Sequence, residues 1–193
     1  MAEKQDYTKE ANNPTEKQAV SDETVVARIP LEIERKYLIA MPDPAALAVI
    51  PGVRVLKMEQ IYLISHEGWT RRIRRVQEAG KTRYYYTAKR RKTPLSCEED
   101  EHEITAEEYR AKQKESDPNR VPILKTRYAF PTGTLTAEVD IYPNWQDRAI
   151  LEIELPREDF PVPLPASLTV LREVSNDPRY KNVNLARGIF PAE

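Results

Sequence analysis

Ionisable residues two positions apart recur along this chain, and two residues is the spacing that puts side chains on one face of a β-strand. Glu32, Glu34 and Lys36 form the first such set. Arg72 and Arg74, Thr87 and Lys89, Glu99, Glu101 and Glu103, Lys125 and Arg127, Glu138 and Asp140, and Glu152 and Glu154 follow. Apolar residues hold the alternate positions, such as Leu31, Ile33 and Tyr37 in the first set and Leu151, Ile153 and Leu155 in the last. For any one pair the plain alternative is a solvated face whose charges pair with a neighbouring strand. Such a face mixes Lys with Glu, because like charges side by side repel. Here most sets share one sign, and like charge at this density calls for counter-ions. Carboxylate pairs suit hard divalent cations such as Mg²⁺ or Mn²⁺, while Arg and Lys pairs suit phosphate oxygens. Together they describe a site for metal and phosphate.

The elements that must carry these faces are short. Alternating runs at 31–39, 53–64, 69–77, 82–90, 99–104, 123–129, 134–142 and 149–155 predict eight strands. Turn chemistry lies between them, as at Ala79-Gly80, Pro131-Thr132-Gly133 and Pro143-Asn144, and several breaks are short enough for antiparallel hairpins. Helices are predicted at 44–50, at 106 to about 114 behind Thr105 as N-cap, and around 166–173 and 183–189. The expected fold is α+β but mainly β: a closed antiparallel barrel of about eight strands forming a tunnel, with helices packed outside and near one mouth. In so narrow a barrel the lumen takes little more than side chains, so a rod-like polyphosphate fits better than a bulky ligand. The apolar residues then face outward. One domain over 28–193 is expected, preceded by a flexible extension at 1–27, which is polar and aperiodic.

Composition limits the alternatives. Thirty Lys and Arg against 31 Asp and Glu give a net charge of -1, with no overall pull towards nucleic acid or an anionic membrane surface. Cys97 is the sole cysteine, and with His66 and His102 it makes a poor set for structural zinc; both histidines read as structural. The longest apolar run, 45–50, falls far short of the ~20 residues that span a bilayer, so a cytoplasmic setting without membrane or nucleic-acid partners is expected. No P-loop or Gly-rich dinucleotide fingerprint is present. Tyr62, Tyr84, Tyr86 and Trp145 read as core or barrel-surface packing.

Glu32-Ile33-Glu34-Arg35-Lys36 resembles the N-terminal Glu-x-Glu-x-Lys signature of the CYTH superfamily, the triphosphate tunnel metalloenzymes. Later motifs are similar to that family in order: Gln60-x-Tyr62-Leu63, Arg72-x-Arg74, Thr87-x-Lys89, Glu101-x-Glu103-Ile104, Lys125-Thr126-Arg127-Tyr128, Glu138-x-Asp140, Glu152-x-Glu154 and Glu173-Val174 through Asp177-x-x-Tyr180-x-Asn182-x-x-Leu185. The likeness covers about residues 30 to 190 and is greatest to the small bacterial tripolyphosphatases. It implies a metal site of Glu32, Glu34, Asp140, Glu152 and Glu154, with Glu138 less central. It implies phosphate binding by Lys36, Arg72, Arg74, Lys89, Lys125 and Arg127, and catalysis involving Lys36, Glu34 and Glu154. Glu101 and Glu103 would orient the basic residues or bind water, and Lys181 lies in a segment that resembles the family's closing element. Lys36 has two readings, a proton-transfer group whose pKa the neighbouring cations lower, and a plain phosphate ligand. The implied activity is metal-dependent hydrolysis of inorganic tripolyphosphate to pyrophosphate and phosphate by a monomer or homodimer. Nucleoside or thiamine triphosphatase, class IV adenylate cyclase and a non-enzymatic polyphosphate-binding module are the alternatives.

Overall fold

The computed structural model of the chain describes residues 31–66 and 68–191, so the extension expected at 1–27 lies outside the described residues. Nine strands form one antiparallel sheet: β1 Leu31–Ala40, β2 Arg54–Leu63, β3 Trp69–Glu78, β4 Lys81–Arg91, β5 Ser96–Ile104, β6 Ile123–Thr132, β7 Leu135–Ile141, β8 Arg148–Glu154 and β9 Val170–Glu173. The order is β5-β4-β3-β2-β6-β7-β8-β1-β9, and a further β5–β1 pairing closes strands one to eight into a barrel. The expected closed antiparallel barrel is therefore present, with one strand added to its wall. Hairpins make most of the connections. At the β3–β4 turn Ala79 and Gly80 both have positive φ, 46° and 77°, as a two-residue loop between twisted strands demands.

β9 replaces the helix expected at 166–173. Leu31 to Ile33 of β1 pair with β5, and farther along the same edge Tyr37 to Ile39 pair with β9. Where β5 departs, β1 has backbone donors and acceptors that need partners. Val174 donates its N–H to the Lys36 carbonyl, and β9 supplies the rest. That pairing outweighs the weak helical period of the segment, which β-branched Thr169 and Val170 already disfavour.

Among the described residues three α-helices complete the fold. α1, Pro44–Ala48, starts at an Asp43 cap that accepts from the Ala45 N–H at 2.9 Å. α2, Ala106–Lys112, begins with a capping box in which Thr105 and Glu108 bond each other's backbone N–H. α3, Asn182–Leu185, is shorter than the 183–189 expected. The outward apolar faces bury against these elements: Leu47 of α1 joins Ile33, Tyr37, Tyr128 and Leu151, and Tyr109 of α2 packs with Ile61, Leu63, Ile73 and Ile104.

One end of the barrel interior is apolar. Leu38, Ile123 and Ile150 are in register with the inward charged positions, and they cluster with Tyr62, Tyr142, Trp145, Val174, Tyr180 and Leu185. The C-terminal segment fills this end, which places the expected closing element at one limit of the lumen.

Candidate functional site: a charged lumen inside the barrel

Register alone gathers the charges. β1 sets Glu34 opposite Glu154 and Lys36 opposite Glu152 on β8, β7 sets Glu138 opposite Glu152, and β6 sets Arg127 opposite Asp140. On the other wall Arg72 and Arg74 of β3 face Thr87 and Tyr85 of β4, and Thr87 and Lys89 face Glu101 and Glu99 of β5. The cavity they enclose holds about 700 Å³ and is lined by Glu32, Glu34, Lys36, Arg72, Arg74, Lys89, Glu99, Glu101, Lys125, Arg127, Glu138, Glu152, Glu154 and Lys181. A second cavity of about 410 Å³ shares Arg74, Glu101, Arg127 and Glu138 with it and extends towards the β3–β4 turn, so the interior is a tunnel.

Of the site residues expected from sequence, two lie outside this lining. Glu103 is exposed on the inward-facing side of β5. Asp140 is 0% exposed, and both its oxygens are taken: Arg127 Nε donates to Oδ1 at 2.7 Å, Arg127 Nη2 to Oδ2 at 2.7 Å, and Lys125 Nζ bonds Oδ2 as well. Asp140 thus fixes the two basic residues of β6 from outside the cavity lining.

Tyr62 packs in the core, one of the two readings its sequence allowed, and it also lines the cavity, because it lies opposite Arg72 in β2–β3 pairing and shares its face. Between Tyr62 and Arg54, which pairs with Glu78 at the far end, that face carries Leu56, Met58 and Gln60 and no charge. A charged residue there would stand between the arginines of β3 and the cations of β6. Glu99 also belongs to the lining, 3.1 Å from Lys89 and 3.6 Å from Arg72. Tyr84 and Tyr86 lie outside, against Tyr109 and His102, as expected.

The lumen is held by mutual neutralisation. Lys36 lies 2.6 Å from Glu152, which also takes Arg127 Nη2 at 2.6 Å; Lys89 bonds Glu32, Arg74 bonds Glu101, and Arg127 bonds Glu138. Burial favours the neutral form of Lys36, but Glu152 and Glu34 outweigh it and hold the ammonium above its usual range. The lowered pKa that the proton-transfer reading of Lys36 requires is therefore not found, since its nearest neighbours are carboxylates. Lys125 shows the opposite balance: burial and then Arg127 push it down to about 8 against Asp140 and Glu152.

Two features mark what is left unsatisfied. Nε of Arg72 and of Arg74 is buried without a hydrogen-bond partner, so both guanidiniums keep donors for an anion. Glu154 is raised by burial and then by Glu32 and Glu138, with Glu34 adding and Lys89 opposing; Glu138 is raised by burial and by Glu152 and Asp140 against Arg127. Excess negative charge of this kind suits a hard divalent cation. Among the described residues no three His, Cys, Asp or Glu are already gathered as a metal cage. Glu34, Glu154 and Glu32 would come together by side-chain rotation from facing strands, and Glu152 and Asp140 would join only by releasing a cation.

No protein-family model matches the chain, and no curated protein does. Solved structures do match. The inorganic triphosphatase NE1496 is 27% identical, over 83% of this chain and 97% of that one, at a TM-score of 0.49. The PH1819 protein from Pyrococcus horikoshii is 19% identical, over 66% of this chain and 80% of that one, at 0.50. A conserved hypothetical protein from Pyrococcus furiosus is 22% identical over the same shares, at 0.51. The two Pyrococcus likenesses show a shared fold. Fold and lining define a charged tunnel barrel. The motifs that resemble the CYTH superfamily contribute most of its lumen.

Proposed function

We propose that this chain is a metal-dependent triphosphatase of the tunnel type, acting on inorganic tripolyphosphate. The observation that carries the reading is the convergence on one enclosed lumen of cationic side chains, of which Arg72 and Arg74 have unpartnered buried donors, with carboxylates in matching number. Arg72, Arg74, Lys89, Lys125 and Arg127 bind the phosphate oxygens in this reading, and Asp140 holds Lys125 and Arg127 until substrate arrives. Glu34, Glu154 and Glu32 hold Mg²⁺ or Mn²⁺, with Glu152 and Asp140 as further ligands once their cations turn to the substrate, while Glu138, Glu101 and Glu99 orient the basic residues. A bound divalent ion supplies charge neutralisation at the phosphate and an acidified water. Lys36, kept protonated by Glu152 and Glu34, serves as a hydrogen-bond donor to the phosphate chain and not as a base. Tyr62 adds a neutral donor to the same wall. Positioning and charge carry most of the work in phosphoryl transfer, so no protein nucleophile is required.

Phosphate release from tripolyphosphate, ATP and thiamine triphosphate with Mg²⁺ or Mn²⁺ separates the substrates, and cyclic AMP with pyrophosphate would identify a cyclase. Glu34→Gln is expected to lower turnover by two orders of magnitude or more while tripolyphosphate still binds. Arg72→Ala is expected to weaken binding itself, by about tenfold to a hundredfold. Wild-type rates in both variants would remove the assignment. Tripolyphosphate binding without turnover would leave a binding module.

A further inference from the structure

We propose that Gln60 is a positioning residue that directs the Tyr62 hydroxyl at a phosphate oxygen of the substrate, an inference that rests on the triphosphate reading above. Gln60 is 0% exposed, inside the barrel, opposite Arg74 on β3 and Ile123 on β6. Its Nε2 donates to Tyr62 Oη at 2.8 Å, while its Oε1 is buried without a partner. An amide half-satisfied in this way is a costly means of filling space, and a thioether of similar length would pack there without the penalty. What the amide contributes is its N–H.

The consequence falls on the neighbour. A phenol oxygen that accepts an N–H keeps its own hydrogen for an acceptor. Arg72 stands directly across the β2–β3 pair from Tyr62, a second and cationic donor facing the same oxygen, which leaves that hydrogen to point away from both. Among the described residues it has no acceptor, and Tyr62 lines the cavity in which the basic side chains converge. A phosphate oxygen in that cavity is the acceptor the geometry provides for. The lysines and arginines supply charge with broad directional tolerance; the hydroxyl, fixed from behind by Gln60, supplies direction without adding charge.

The test is a double-mutant cycle on the full chain. Tripolyphosphate affinity is measured by calorimetry with chelator present, and turnover is measured with Mg²⁺, for wild type, Gln60→Met, Tyr62→Phe and the double variant. Each single variant is expected to lose about tenfold in affinity, and the double variant to be no worse than Tyr62→Phe alone. Losses that multiply in the double variant, or a Gln60→Met protein with wild-type affinity, overturn the inference while leaving the triphosphatase reading intact. A wild-type chain that binds no tripolyphosphate overturns both. If Gln60→Met does not fold, Gln60→Glu replaces it: its carboxylate turns the Tyr62 O–H away from the lumen. Its loss is then expected to shrink when Tyr62 is already Phe, and an equal loss in both backgrounds counts against the proposal.

Discussion

Lys36 and Lys125 share one lumen, and burial opposes the charge of both, yet they are driven in opposite directions. Lys36 stands opposite Glu152 and two positions from Glu34, whereas Lys125 has Arg127 beside it on the same face. The Lys125 ammonium is therefore present below about pH 8 and lost above it. Tripolyphosphate affinity is expected to fall by about tenfold between pH 7 and 9 as that charge disappears. Lys125→Arg, which stays charged, should flatten the profile, as titration calorimetry across the pH range would register. The i, i+2 spacing made the charged faces legible residue by residue, because it needs only strand geometry. It did not reveal that Asp140 spends both oxygens on Lys125 and Arg127, nor that Lys36 is neutralised by Glu152, since both facts depend on which strands become neighbours. That Tyr62 also lines the lumen was not legible for a related reason: β2 puts Lys57 and Glu59 on one face and Arg54 on the other, so its own residues do not say which parity points inward.

At the scale of elements, hairpins and caps carry local signatures and were legible. Ala79-Gly80 closes β3 onto β4, and Thr105 with Glu108 opens α2. β9 was not legible. Its strand conformation comes from the vacant edge of β1, a demand that exists only after the barrel has formed. α2 covers an apolar patch remote from the charged lining, so stability and binding should separate there. Thr105→Ala removes the cap to the Glu108 N–H and is expected to cost about 1 kcal/mol of stability. Denaturant melts should report that loss, and calorimetry should find tripolyphosphate affinity unchanged. Equal losses in both would mean that α2 braces the lumen.

The whole molecule encloses many ionised side chains in mutual pairs, a costly interior for stability alone. A polyanion that binds the folded form and not the unfolded chain shifts the equilibrium by mass action. Tripolyphosphate at about a hundredfold over its dissociation constant should add about 2.7 kcal/mol, or roughly 5–10 °C in melting temperature for a chain of this size. Arg72→Ala at the same concentration should show much less of this gain in a thermal scan, and an equal gain would place binding elsewhere.

The strict alternation along β1 to β8 also governs which insertions and deletions the gene tolerates. Adding one codon inside β1 would turn Glu32 and Glu34 out among Leu47, Tyr128 and Leu151 and bring Leu31 and Ile33 inside, so the fold and the charged lumen would fail together. The same codon added at the β3–β4 loop would leave every face where it is. Length variation in this protein should therefore be confined to its loops.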